Sequence, residues 1–424
     1  MSHYSPHHIP ADIVQGIFAV FSTTLSTEDP KSFPWFLGHI CSRWRSIFRS
    51  MTVDIWSKIS IMYNADSGSR RHYKDLVRFF LDRDPAAPIS FDFILLACNS
   101  KFSAQEAYDM RLILEMLIDE SMRWRSILVS GFRPSALLPL AHARNRLPLL
   151  REAHIPFPGV KAFGPLHDIF QTAPSLNVIH LYDAANWKFI WSNLTEVHIA
   201  RFELGSHDFI AALPQMIKLE RLNITCPLKD YTPPKITVLS KLVKLECHYT
   251  WFPLLNTPAL VDLTILNDSI NPSDILRAFL HTSSCDILRL RIISARTMAA
   301  LDIIRLLPRI VHLELFDVFA DCALYDLTIS TEPGCEQLAR HITSFGIYSN
   351  PDPSEDPSLL LDFISSRTGT EADNAGCAKL QRLDIGGLLS KTSHWVVESI
   401  TELCKEREVQ CWLEEWSRPE RNRE

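Results

Sequence analysis

A short unit recurs along this chain in which apolar residues take the first, fourth and sixth positions, and no other feature limits the fold as much. It is plain at Leu176/Val178-Ile179/Leu181, Leu194/Val197/Ile199, Leu219/Leu222/Ile224, Leu242/Leu245 and Leu260/Leu263/Ile265. It returns at Cys285/Leu288/Leu290, Ile310/Leu313/Leu315, Ile342/Phe345/Ile347 and Leu380/Leu383/Ile385. Successive starts from Leu194 to Ile310 lie 25, 23, 18, 25 and 25 residues apart, close to the spacing of roughly 20 to 29 residues at which strand-bearing repeats stack. A chain of this kind folds as an array, because no single unit can bury its own apolar stripe.

Between these strand-like segments lie stretches whose apolar residues recur at three and four, the helical period. They cover Asp208 to Leu213, Ser273 to Leu280, Thr297 to Leu307 and Ser358 to Ser365, with Pro214 and Pro308 ending two of them. The unit is strand, turn, helix, return, and the strand pattern resembles that of leucine-rich repeats. Parallel strands stack about 4.8 Å apart while packed helices need about 8 to 10 Å. The expected architecture is therefore α/β, an irregular solenoid over residues 154–413 with a curved parallel sheet and helices on its convex side. It departs from the leucine-rich pattern in one respect: the asparagine that usually follows the strand is replaced by Pro227, Thr250 and Ile293. Leu324 to Ile329 fits either a strand or a short helix before the strand at Ile342, and Ser349 to Pro357 reads as an exposed loop.

Residues 57–153 read as an earlier, less regular start of the same array. Strands are expected over Lys58 to Tyr63, Ile89 to Leu96 and Trp124 to Val129, alternating with helices from Tyr73 to Leu81 and Ala104 to Glu120. Residues 1–8 and 414–424 are polar or charged tails.

The N-terminal residues 9–56 follow another pattern. Pro10 suits a first helical turn, where its missing N–H has no intrahelical partner. Ile13/Ile17 and Val14/Phe18 then fall at i,i+4 and make a broad apolar stripe. A second helix, over Trp35 to Phe48, repeats this with Leu37, Ile40, Trp44 and Ile47. The order Ile9-Pro10 with Asp12, then Cys41, Trp44 and Arg45, then Ile55-Trp56 resembles an F-box, the helical module that docks a ubiquitin-ligase adaptor onto a Skp-type linker protein. Asp12 stands where Glu is commoner, and Ser22 to Pro34 lengthens the connection, as in F-box-like proteins of mushroom-forming fungi. Phe80 to Asp84 before Pro88-Ile89-Ser90-Phe91, and Arg123-Trp124-Arg125, are similar to the same family.

Elementary chemistry narrows the function. There is no Gly-x-Ser-x-Gly elbow, no Gly-rich phosphate loop and no His-Glu-x-x-His helix, so no catalytic or cofactor-binding residue is assigned and none is expected. The ten cysteines are scattered with no Cys-x-x-Cys pair and no histidine at zinc spacing, so they read as reduced thiols and no metal ligand is assigned. A formal charge of −6 gives no reason to expect nucleic acid, and the basic run from Arg111 to Arg151 reads as solvated surface. No apolar run reaches membrane-spanning length and the start lacks a signal-peptide pattern, which points to the cytoplasm or nucleus.

The resemblance implies a non-catalytic substrate receptor of a cullin-type ubiquitin ligase. Ile9, Pro10, Ile13, Ile17, Ile40 and Trp44 would face or flank the linker protein. Because neighbouring strand residues point to opposite sides, His180, His198, His312, Glu220, Lys244, Asp262, Arg289 and Glu314 are expected on the solvent side of the sheet. Of these, His198, Lys244, Asp262, Arg289 and Glu314 are the candidate target-binding residues, the target being an unidentified protein. The alternative is a protein-interaction scaffold in which the N-terminal helices only cap the first strand.

Overall fold

All nine strands marked by the repeat pattern are present, and the register between them is set by main-chain hydrogen bonds that recur at the same point of each unit. The computed structural model describes residues 9–20, 24–26, 38–50, 57–64, 73–96, 104–132, 134–155, 164, 166–183, 187–201, 206–228, 236–266, 272–293, 297–317, 320–330, 337–348, 357–386 and 394–414. The chain divides into two units, Met1–Lys218 and Leu219–Glu424. The expected tails apart from Glu414, the loop before Pro357, Ile55-Trp56 and most of the Ser22 to Pro34 connection lie outside the described residues.

In the first unit the strands are β1 (Thr24–Ser26), β2 (Lys58–Asn64), β3 (Ile89–Leu96), β4 (Trp124–Ser130), β5 (Glu152–Ile155), β6 (Val178–Asp183) and β7 (Glu196–Arg201). They stand in chain order, each parallel to the next. Their register lines up Ile59, Phe91, Ile127, Ala153, Ile179 and Val197 as one buried row. Trp124 is fully buried, its indole N–H donating to the Leu117 carbonyl at 2.9 Å. This ties the helix Ala104–Asp119 to the strand that follows it.

In the second unit the first strands are β8 (Arg221–Ile224), β9 (Thr237–Val238), β10 (Lys244–His248), β11 (Leu255–Asn256) and β12 (Asp262–Leu266). They are followed by β13 (Arg289–Ile293), β14 (His312–Phe316), β15 (Ser344–Tyr348), β16 (Arg382–Gly386) and β17 (Gln410–Glu414). Within this unit the sheet order is β8-β10-β12-β13-β14-β15-β16-β17, all parallel, with β9 and β11 forming a separate parallel pair. Two buried rows run across the strands: Leu222, Leu245, Leu263, Leu290, Leu313, Phe345 and Leu383, and two residues on, Ile224, Cys247, Ile265, Ile292, Leu315, Ile347 and Ile385. They are the fourth and sixth positions of the repeat.

The entry to each strand repeats too. One carbonyl of the preceding repeat accepts two successive N–H groups: Glu220 from Val243 and Lys244, Val243 from Val261 and Asp262, Val261 from Leu288 and Arg289, Leu288 from Val311 and His312. Just before, the apolar residue at the first position closes a turn onto the carbonyl three residues back, as Leu242 does on Leu239, Leu260 on Thr257 and Ile310 on Leu307. These bonds use only backbone, so the spacing of the units can vary and no particular side chain is demanded at the bend.

Two expectations need correction, and one open reading is decided. The copy read as Cys285/Leu288/Leu290 is displaced by two residues, because Ile287/Leu290/Ile292 satisfies the same spacing and it is Leu290 and Ile292 that pair with Leu263 and Ile265. The ambiguous stretch at Leu324 belongs to a helix, Ala320–Leu327. The N-terminal segment is not purely helical, since β1 lies between its helices Ala11–Val20 and Ser42–Ser50 and pairs with β2. Near the C-terminus, the helix His394–Glu406 and β17 add one further unit that the spacing pattern does not reveal.

One buried charge locks the second unit. Arg367, on the helix Pro357–Thr368, is 1% exposed and has no carboxylate partner among the described residues. Its guanidinium donates to the carbonyls of Leu327 (3.0 and 2.6 Å), Leu338 (2.7 Å) and Ala339 (3.1 Å), closing the chain that leaves the preceding helix. Planar donors in a fixed fork suit this clamp, and a single-point ammonium does not. Phe363, one turn earlier, packs on Phe345 of β15 with ring centroids 4.7 Å apart. Arg367→Met strands three buried acceptors, and at about 1 to 3 kcal/mol each is expected to destabilise the unit by at least about 3 kcal/mol. Arg367→Lys recovers only part of this. Urea unfolding followed by tryptophan fluorescence checks both.

Candidate functional site

Three places gather the side chains a binding function would use. The first is the N-terminal helix pair. Val14, Phe18, Trp44, Ile47 and Phe48 are buried, and the Phe18 ring meets Trp44 and Phe48 edge-on with centroids 5.3 and 5.8 Å apart. Trp44 is 6% exposed and packs inside the pair. The Cys41 sulfur accepts the Trp44 N–H at 3.4 Å, and the Arg45 Nε donates to the Gly38 carbonyl at 2.8 Å. Those two residues therefore start the second helix and hold the turn before it. Ile13 and Ile40, by contrast, are 52% and 44% exposed. Pro10 is exposed while Ile9 and Ile17 are half-buried.

The second is the solvent side of the first unit's sheet. Register places His154, His180 and His198 side by side on β5, β6 and β7. Their rings form a stack, 3.7 Å between His154 and His180 and 3.9 Å between His180 and His198, with planes within 17° and 7°. Two residues before each outer histidine stands a glutamate on the same side of the strand. Glu152 bonds His154 Nε2 at 2.6 Å and Glu196 bonds His198 Nε2 at 2.8 Å. Ser126 on β4 donates to the other Glu152 oxygen at 3.1 Å. Burial raises the Glu152 carboxyl, but the His154 hydrogen bond and charge outweigh it and leave that carboxyl below its ordinary range. Burial, then the neighbouring His154 and His198, push His180 down from 6.5 to about 4.

The third is the solvent side of the second unit. Lys244, Asp262, Arg289, His312, Ser344 and Arg382 form one row across β10 to β16, and Glu246, Thr264, Arg291, Glu314, Gly346 and Asp384 the next. Of the expected residues, Lys244, Asp262 and Arg289 are thus neighbours on successive strands, with Lys244 Nζ 3.9 Å from Asp262. Glu314 lies in the adjoining row and accepts from Arg291 Nε at 2.7 Å. The Arg291 guanidinium also sits 5.8 Å from the Phe316 ring centroid. Phe316 and Tyr348 stack at 4.3 Å, and a Cβ at Gly386 would stand 2.5 Å from the Tyr348 ring, so glycine makes room for that ring. Tyr348, Arg382, Asp384, Ile385 and the exposed Trp412 line a depression of about 260 Å³.

His198 lies in the first unit and the charged row in the second. Sequence reasoning missed His154, Arg291, Arg382, Asp384 and the aromatic pair. Each is found by reading the residue immediately before or after a buried strand position once the register is known. A more open cavity of about 590 Å³ in the first unit is lined by residues that include His167, Trp187, Trp191, Asp168 and Lys188. Asp168 is paired there with Lys188 at 3.0 Å and Arg144 at 3.6 Å.

No family model matches the chain, and no curated protein matches it. Among the described residues, no helix is long and apolar enough to cross a membrane.

The histidine stack carries a pH dependence whose sign is fixed. His180 binds its proton less readily folded than unfolded, so as pH falls below the ordinary 6.5 the unfolded chain gains a proton first. Stability from this group is complete above about pH 6.5 and declines towards about pH 4. His180→Gln, which cannot titrate, is expected to flatten that part of the profile. Urea midpoints measured across the same window for both proteins check it.

Proposed function

We propose that this chain is a non-catalytic recognition adaptor, with the N-terminal helix pair as an F-box-like docking element for a Skp-type linker protein and through it a cullin scaffold. In each unit the solvent side of the sheet presents rows of fixed side chains to a protein target. The supporting observation is a division of labour in the helix pair: Val14, Phe18, Trp44 and Phe48 close its own core, while Ile13 and Ile40 remain exposed. Large aliphatic side chains left in water beside a finished core are what a partner's apolar groove would cover. The half-buried ion pairs and aromatic rings on strands supply the target side, since strands hold side chains in rows that loops do not. Such an adaptor accelerates modification by raising the local concentration of target lysines near enzymes that other subunits supply.

A second reading has an observation of its own. The link between the two helices contributes β1, which pairs with β2 over three residues, as a segment that shields a sheet edge does. In that reading the protein is a repeat scaffold outside any ligase.

Co-purification with the linker protein separates the two. Ile13→Asp with Ile40→Asp is expected to abolish capture while leaving the melting curve unchanged. Trp44→Ala, which empties the pair's core, is expected to lower stability by about 3 to 5 kcal/mol. Failure of the unmodified chain to bind the linker protein leaves the scaffold reading in its place.

A further inference from the structure

The histidine stack of the first unit has a composition that nothing in the adaptor reading uses. Two strands carry the same Glu-x-His pattern, Glu152/His154 on β5 and Glu196/His198 on β7, and His180 of β6 stands between them. In each half, the candidate ligand atoms of Glu152, His154 and His180, or of His180, Glu196 and His198, lie within 4.8 Å of one another. All five side chains are half-buried, open to water on one side and supported by sheet on the other. Zinc–nitrogen and zinc–oxygen bonds of about 2.0 to 2.2 Å place ligand atoms of a tetrahedral site roughly 3.3 Å apart. At most about 1.5 Å of closure is needed between any two of them, within the reach of a histidine or glutamate torsion. The rings must tilt out of parallel for two lone pairs to converge.

We propose that this chain binds one divalent first-row transition cation of the zinc class through Glu152, His154 and His180. Imidazole and carboxylate donors in this number suit zinc and leave one position for water. His180 is common to both halves, so one ion occupies the stack at a time. The β5 half is the better organised, because Ser126 already holds the second oxygen of Glu152, the kind of outer support that fixes a ligating carboxylate. Three side chains from two strands come within reach of one ion only because parallel pairing sets His154 opposite His180 and Glu152 one pleat away. The bound ion would cross-link β5 and β6 on their solvent side. This inference does not depend on the docking role of the N-terminal helices.

The test is Zn²⁺ binding by the full chain after chelator treatment, read by competition with a chromogenic chelator and by the melting temperature as Zn²⁺ is added. One equivalent per chain is expected, with a melting temperature that rises with Zn²⁺ concentration, as any ligand of the folded state requires. His180→Asn and His154→Asn are expected to remove both effects, His198→Asn neither. Ser126→Ala is expected to weaken binding about tenfold. If His180→Asn does not fold, the more exposed Glu152→Gln carries the same expectation. No zinc retained by the unmodified chain, or an equivalent retained by both His180→Asn and Glu152→Gln, overturns the proposal. Loss on His198→Asn but not on His154→Asn overturns the assignment to β5.

Discussion

The paired backbone donation at each strand entry is the constraint on which the remaining structure rests. When one carbonyl accepts two successive N–H groups of the next repeat, as Glu220, Val243, Val261 and Leu288 do in turn, strand position is fixed by main chain before any side chain is considered. Residues at equivalent positions then fall opposite one another. One alternation step separates a wholly apolar row, such as Leu222 to Leu383, from a row as polar as Lys244 to Arg382. A slip of one residue would exchange them, burying charge and exposing leucine. The apolar rows thus protect the register that the backbone sets.

The same geometry dictates the chemistry of the solvent sides. Each polar side chain has a neighbour on either adjoining strand, so rows must avoid like charges or neutralise them. In the second unit this is done by alternation and by cross-row pairs, with Lys244 beside Asp262, Arg291 bonded to Glu314 and Arg382 bonded to Asp384. The half-exposed Lys244–Asp262 and Arg291–Glu314 pairs contribute about 0.2 to 1 kcal/mol each, far less than the apolar rows beneath them. They orient side chains more than they hold the fold together. In the first unit three imidazole rings are stacked instead, with a carboxylate before each outer one. Burial keeps the central ring from charging, so the row escapes repulsion near neutral pH.

Much of the strand architecture was legible because the two buried rows leave a period that survives changes in loop length. The strand at Ile89–Leu96 and the helix near Tyr73 are found from pattern alone. The pattern fails where two triplets compete, as at Cys285 and Ile287, since spacing cannot say which leucine reaches its neighbour. It also fails to reveal β9 and β11, each two residues long and too short to show a period. The candidate sites were half legible. Alternation put His180, His198, Lys244 and Asp262 on the solvent side, but the partners that give them meaning lie a whole repeat away. No local spacing connects His154 to His180. Arg367 was invisible for a different reason: its partners are carbonyls, which every sequence has.

The N-terminal pair shows how a recognisable motif can report on folding more than on binding. Cys41, Trp44 and Arg45 carry the resemblance, yet the cysteine caps a helix, the tryptophan fills the space beside Phe18, and the arginine holds the Gly38 turn. All three are satisfied within the chain, so their presence supports this helical arrangement whether or not a partner exists. The docking question moves to residues that the pair does not need for itself. Ile13 and Ile40 are two such residues, and exposure of both has a hydrophobic cost with no return inside the described structure. A scaffold that used these helices only to cover β2 could carry polar residues at both positions without loss, which is why they discriminate between the two readings where the motif itself cannot.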